Sequence, residues 1–285
     1  MRFLAAVLLC ASLAAAQTTQ DLLNFLHDLP NSPVDVRTQP QQLQSLLRPL
    51  QTASPDDVRT ILTTIRPFTR EGAAVNVQHA AVSVVLFIAL TREDGATLIA
   101  DHLDVLEACL NFTRIQLDEG FIVMASYLRP AAPPEVVPML LRLADRPDIT
   151  DTRKANALGI ALQLNQQSVR LRRPDALDQI LQRITSYINE RHSASSKILL
   201  LDAIPQTRNR GPVSPRMIDI LASALIHREP AVRARAVHNL AQLGPDEVHK
   251  QSAMIERLRT QDPSSEVRAE ADLALRLTTS QQLQH

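Results

Sequence analysis

Tryptophan is absent from this 285-residue chain, and with two tyrosines and six phenylalanines only 3% of it is aromatic, although 45% is hydrophobic. Any core therefore has to be packed from Leu, Ile, Val and Ala. Glycine is equally scarce, at six residues, which excludes folds built on many tight hairpins or glycine-rich loops, because such turns need positive φ. Charge of one sign is also missing: Lys plus Arg and Asp plus Glu each total 30. With no net field to steer it, the chain is not expected to bind nucleic acid. Lysine occurs only at Lys154, Lys197 and Lys250, so the basic residues are almost all arginine.

The first residues, MRFLAAVLLCASLAAAQ, place Arg2 before an apolar run from Phe3 to Leu13, with Ala14 and Ala16 in a small-x-small arrangement ahead of Gln17. That order predicts a secretory signal over residues 1–16, cleaved after Ala16, and a secreted or periplasmic protein. The run is shorter than the roughly 20 apolar residues a spanning helix needs, so no membrane span is expected. Cys10 lies inside this leader, behind the large Leu9 rather than the small residue a lipoprotein signal favours. Cys109 is then the one cysteine of the mature chain, which excludes an internal disulfide and a thiolate zinc site. Flanked by Leu106 and Leu110, it is expected to be a buried small hydrophobe.

Two stretches near the C-terminus repeat each other. REPAVRARAVHNLAQLG, from residue 228, and QDPSSEVRAEADLALRL, from residue 261, align Val232 on Val267, Arg233 on Arg268, Ala236 on Ala271 and Leu240 on Leu275. In the shared pattern VRxxAxxxL, positions four apart fall on one helical stripe, so Val, Ala and Leu form an apolar face with Arg at its edge. Glu229-Pro230 and Asp262-Pro263 precede the two helices, an acid before a proline suited to the first helical turn. Between them, residues 245–261 predict a partner helix burying Val248, Met254, Ile255 and Leu258. Weaker echoes occur at Pro55, Val58 and Arg59, and at Pro147, Thr152 and Arg153.

The rest of the chain follows the same pattern of apolar helical runs broken at proline or polar loops. The runs are LLNFLHDL, PQQLQSLLRPL, AAVNVQHAAVSVVLFIAL, HLDVLEACL, FTRIQLDEGFIVMASYL, PPEVVPMLLRLA, RPDALDQILQRITSYI, SSKILLLDAI and SPRMIDILASALI. No alternation of period two is long enough to predict a sheet. The segment from Ala80 to Leu90 is apolar throughout and is expected to be a helix enclosed by its neighbours.

EPAVRARAVHNLA and DPSSEVRAEADLAL resemble the second helices of HEAT repeats, most specifically over residues 213–279. The resemblance implies an all-α fold, an α-solenoid of stacked antiparallel helix pairs. It would run from residue 17 to 285 as a single domain of roughly six to seven repeats, with the second helices lining a concave face. Armadillo-like repeats remain an alternative. In such repeats the acid and the arginine often pair along the stack, a structural ladder that corresponds here to Glu229, Arg233, Asp262 and Arg268.

Catalytic and cofactor motifs are not found: there is no GxSxG, HExxH, CxxC or phosphate-binding glycine loop. His102 between Asp101 and Asp104 has poor spacing for a metal and reads as a helix start. Glu93-Asp94-Gly95 and Asp118-Glu119-Gly120 read as turns, since the alternating oxygen ligands of a calcium loop are missing. Asn111-Phe112-Thr113 matches a glycosylation sequon, and Arg170 with LRRP forms a local basic knot. The expectation is a non-catalytic scaffold or adaptor that uses no cofactor and no metal and binds a protein or peptide partner along the concave face. The candidate partner surface is Arg235, His238 and Gln242 on one helix and Arg268, Asp272 and Arg276 on the next. Two other readings stay open: an enzyme whose site is dispersed over several helices, with Asp101, Asp104, Asp118 and Glu119 as first suspects, and an envelope component that self-associates through the ends of the array.

Overall fold

A computed structural model describes residues 20–31, 40–69, 72–111, 132, 135–167, 174–208 and 213–282. These residues form fifteen α-helices and no strand. No helix among them is long and apolar enough to cross a membrane. The leader with Cys10, the helical run over 112–128 with Asp118 and Glu119, and residues 170–173 of the basic knot lie outside the described residues. The chain divides into two compact units, Met1–Pro133 and Pro134–His285.

The first unit holds α1 (residues 20–28), α2 (Pro40–Leu47), α3 (Pro55–Thr64), α4 (Val75–Thr91), α5 (Gly95–Ala100) and α6 (Leu103–Asn111). Ser54 caps α3, its hydroxyl accepting from the Asp57 N–H at 3.1 Å, and Pro55 occupies the first turn where its missing N–H costs nothing. The apolar helix α4 is largely enclosed, with Val77, Ala80, Ala81, Val82, Val84, Val85 and Ile88 all buried, but the expectation of a helix covered on every side fails at Leu86 and Phe87, which are half-buried, and at Leu90, which is exposed near the helix end. At its end Arg92, only 7% exposed, pairs with Asp94 at 2.7 Å and donates to the carbonyls of Leu50 and Ala53 at 2.7 and 2.8 Å. One guanidinium thereby ties the end of α4 to the turn before α3, and its hydrogen bonds hold the Asp94 carboxyl below the usual carboxylate range. Cys109 is fully buried, and burial pushes its thiol up to about 12, leaving it protonated and unreactive at neutral pH.

Glu93 and Asp94 form the expected turn, but Gly95 begins a short helix, α5, which packs on α4 and α3. The close approach depends on Gly95: a β-carbon there would stand 2.2 Å from the Ile88 carbonyl oxygen.

The second unit contains α7 (Val136–Ala144), α8 (Asp151–Gln167), α9 (Pro174–Asn189), α10 (Ala194–Gln206), α11 (Pro215–Ala224), α12 (Pro230–Leu243), α13 (Pro245–Lys250), α14 (Ser252–Gln261) and α15 (Ser265–Gln282). Helices α8, α10, α12 and α15 lie side by side in chain order, while α7 packs on α8, α9 on α8, α11 on α12 and α14 on α15. The stripe predicted from VRxxAxxxL is the buried seam of this row. Val232, Ala236, Leu240, Val267 and Ala271 are completely covered, and each large aliphatic among them contributes about 1.5–3 kcal/mol by leaving water. Only Leu275 departs, being half-buried.

Two local expectations are corrected. Residues 245–261 form two helices, α13 and α14, that meet at Gln251, where the N–H bonds to the Val248 carbonyl in a tight turn. Val248, Ile255 and Leu258 are buried as expected, but Met254 is half-exposed. Pro263 lies outside α15 rather than in its first turn. Asp262 and Ser264 form the entry instead, with the Ser264 N–H donating to Asp262 Oδ1 at 2.9 Å, whereas Pro230 does begin α12.

Replacing Gly95 with Ala is expected to lower the stability of the first unit by roughly 2 kcal/mol or more, because the new carbon meets backbone that has nowhere to move. Chemical denaturation of the two proteins checks this, and an unchanged midpoint would contradict the close approach.

Candidate functional site

The predicted ladder exists, with a changed membership. Arg233 forms a two-pronged ion pair with Asp262, both contacts at 2.7 Å, with side chains only 10% and 4% exposed. Its remaining nitrogen donates to the carbonyls of His227 and Arg228 at 2.7 and 3.1 Å. Arg268 repeats the second half of this device, donating to the carbonyls of Asp262 and Pro263 at 2.7 and 3.2 Å. In both cases the arginine reaches the carbonyls six and five residues before it, so the two entry loops are held alike although their prolines differ in register. The hydrogen bonds from Arg233 keep the Asp262 carboxyl below the ordinary range.

Glu229 pairs with a residue absent from the sequence-based ladder. Lys197 of α10 is completely buried, with its ammonium 3.6 Å from the Glu229 carboxylate and 3.2 Å from His227 Nε2. Lys197 stands 36 residues before Arg233, with Ser196, Leu200 and Ile204 at the places of Val232, Ala236 and Leu240, and all six of those positions are buried. The signal was present as SKxxLxxxI, and accepting Lys for Arg would have found it. The ladder is thus Lys197 to Glu229, then Arg233 to Asp262: each second helix begins with a cation that holds the acid opening the next.

Beside this buried ladder, the row of second helices carries a polar line, half-exposed along most of its length and buried at Gln163 and Asn239. Gln163 of α8 donates to Gln206 of α10 at 2.6 Å. Asp202 of α10 accepts from Asn239 of α12 at 3.0 Å and lies 3.6 Å from Arg235. His238 Nδ1 is 2.8 Å from Glu270 of α15, and Gln242 lies 2.8 Å from His238 Nε2. Because a carboxylate only accepts, Nδ1 carries the proton and Nε2 takes the Gln242 amide, a network one imidazole tautomer satisfies. The structure therefore brings Arg235, His238 and Gln242 together with Asp202 and Glu270, which the sequence reading had not linked to them. The other three candidates stand apart. Arg268 serves the backbone, and Asp272 pairs with Arg276 at 2.6 Å while lying 4.0 Å from Arg259 of α14.

A cleft of about 500 Å³ opens between the end of α7, α8 and α9. At its edge the rings of Tyr187 and His192 stack with centroids 3.8 Å apart, and the Tyr187 hydroxyl, pushed up to about 12 by burial, donates to the Asp151 carbonyl at 2.7 Å. His192 places Nδ1 on Asp151 at 2.9 Å and Nε2 on Glu190 at 3.1 Å. With both ring nitrogens engaged, neither faces the cleft as a base. Burial raises the Asp151 carboxyl, but hydrogen bonds from His192 and the Ser193 N–H outweigh it and leave it below its ordinary value. Of the acids suspected in a dispersed active site, Asp104 is held by Arg66 at 2.7 Å and Asp101 lies 3.8 Å from Arg59. Among the described residues no three His, Cys, Asp or Glu side chains are grouped to hold a metal.

Two predictions follow from the Lys197 cluster. Glu229→Ala strips the buried ammonium of its counter-ion and is expected to cost on the order of 3 kcal/mol, whereas Lys197→Met, which removes the buried charge with little change of volume, should cost under about 1 kcal/mol. Urea unfolding of both variants measures the asymmetry. The second concerns pH. Burial, and after it the neighbouring Lys197, holds the His227 imidazole below its usual 6.5, against the opposing pull of Glu229 and the Ile188 backbone. The unfolded chain therefore takes up the proton first, so stability is full above about pH 7 and declines as pH falls through 6.5 towards the folded-state value. Relative to His227→Gln, the wild-type protein is expected to lose stability over that interval, and parallel curves would refute the assignment.

No protein-family model matches the chain, and a search of curated proteins finds none similar to it.

Proposed function

We propose that this chain is a HEAT-like α-solenoid, exported to the periplasm or the cell exterior after loss of residues 1–16, that acts as a non-catalytic scaffold for a protein or peptide partner. The observation that carries the binding role is the polar line crossing α8, α10, α12 and α15, in which Asp202, Arg235, His238, Gln242 and Glu270 are fixed by one another yet remain half-open to solvent. Side chains already ordered by hydrogen bonds lose little freedom when a partner docks on them. A row of second helices is also the surface that stacked helix pairs present as a continuous groove. The solenoid reading is supported by the chain-order packing of that row and by the entry-loop bonds that Arg233 and Arg268 share.

A photo-crosslinking residue at position 238, carried by the protein in its native host, tests this reading. Covalent capture of a discrete protein is expected from position 238 and not from position 219, an exposed site on α11. Equal capture from both positions, or recovery of the crosslinker only in the cytoplasm, would overturn it.

A further inference from the structure

Ile226 is 71% exposed, more than any other large hydrophobic residue described in the chain. A single exposed aliphatic residue is ordinary on a protein surface, but this one stands on the rim of a groove of about 390 Å³ between the α11–α12 turn and α14. Met254, half-exposed, and Leu258 line the same groove, so apolar surface continues from the rim inward. Two arginines also line it. Arg228 is 61% exposed and rests only loosely, at 3.7 Å, on Glu229. Arg257 is exposed and makes no ion pair among the described residues. The acid at the groove, Asp262, is already neutralised by Arg233. The lining therefore presents an excess of positive charge, unpaired at Arg257 among the described residues and loosely paired at Arg228, around an aliphatic floor.

The groove is also built to keep its shape. Arg233 holds the carbonyls of His227 and Arg228, the residues on either side of which the rim turns, and the same guanidinium anchors Asp262 on the opposite wall. A surface fixed in advance binds without the cost of ordering it.

From this combination we propose that the groove between the α11–α12 turn and α14 is a docking site for an acidic peptide segment. An aliphatic or aromatic side chain of the peptide seats against Ile226, Met254 and Leu258, while its flanking Asp or Glu residues meet Arg228 and Arg257. The inference rests on the proposed role in peptide or protein binding, but it uses a different surface from the polar line of the second helices, so the two can fail separately. Charge complementarity selects the occupant: a basic segment would face two exposed guanidinium groups, of which only Arg228 has an acid within 4 Å among the described residues, and a purely apolar one would gain nothing from them.

The test is a selection of random displayed peptides on the immobilised full chain, followed by fluorescence anisotropy of the enriched sequences. Acidic residues flanking Leu, Ile, Phe or Met are the expected consensus, with affinity weakening at high salt. Binding is expected to fall by about tenfold or more in both Ile226→Ser and Arg257→Glu, to be unchanged in Asp219→Ala at the exposed site on α11, and to return to Arg257→Glu when a peptide acid is replaced by lysine. Both substituted side chains are exposed, and an unaltered melting curve confirms the fold. Enriched peptides that ignore Ile226→Ser but are lost in His238→Ala would overturn the groove while supporting the helix-row reading. Self-association that disappears in Ile226→Ser would make a second copy the occupant and also overturn it. An absence of any enriched peptide would overturn the groove, while the helix-row reading stands or falls on the crosslink at position 238.

Discussion

A cation at the start of one helix holding the acid that opens the next is the interaction on which the second unit depends. Lys197 with Glu229 and Arg233 with Asp262 each join elements about thirty residues apart in sequence, and in each the cation is buried so that losing its acid strands it. The arginines do a second thing that a lysine is not shaped to do. A planar guanidinium has donors left after it binds a carboxylate, and in Arg233 they fasten the backbone of the entry loop. Arg92 makes the same double contact in the first unit, with Asp94 on one side and the carbonyls of Leu50 and Ala53 on the other. A chain with almost no glycine to shape its turns and no disulfide within the described residues to tie them uses buried guanidinium groups instead.

These buried pairs set the register in which the aliphatic seams meet. Hydrophobic burial has no direction, and Val, Ala and Leu at four-residue spacing would pack in several offsets with similar energy. Fixing the loop before each second helix removes that freedom, so Val232, Ala236 and Leu240 arrive opposite their neighbours with no exposed surface left. The consequences extend outward. The half-exposed line through Asp202, His238 and Glu270 lies on the row so aligned, and the Ile226 groove is bounded by the loop that Arg233 fastens.

Helix content, the apolar stripes, the burial of most of α4 and that of Cys109 were readable beforehand, because they follow from side-chain chemistry at a period of 3.6 and from the scarcity of glycine and aromatic residues. The ladder was partly readable: Arg233 and Asp262 were matched by pattern, whereas Lys197 was hidden because serine and leucine replace the valine and alanine that mark the motif. What pattern could not supply is the set of contacts made across distance. Asp202 beside Arg235 and Asn239, Glu270 against His238, and Met254 in one groove with Ile226 each join residues from separate elements, and no local periodicity encodes how neighbouring helices are rotated about their axes. Nor was the short helix α5 visible, since six residues carry too little periodicity to register, and its place depends on how closely Gly95 approaches Ile88. Composition and spacing are properties of a single strand of residues. Surfaces shared by several helices appear only once packing has chosen the angle at which those helices meet.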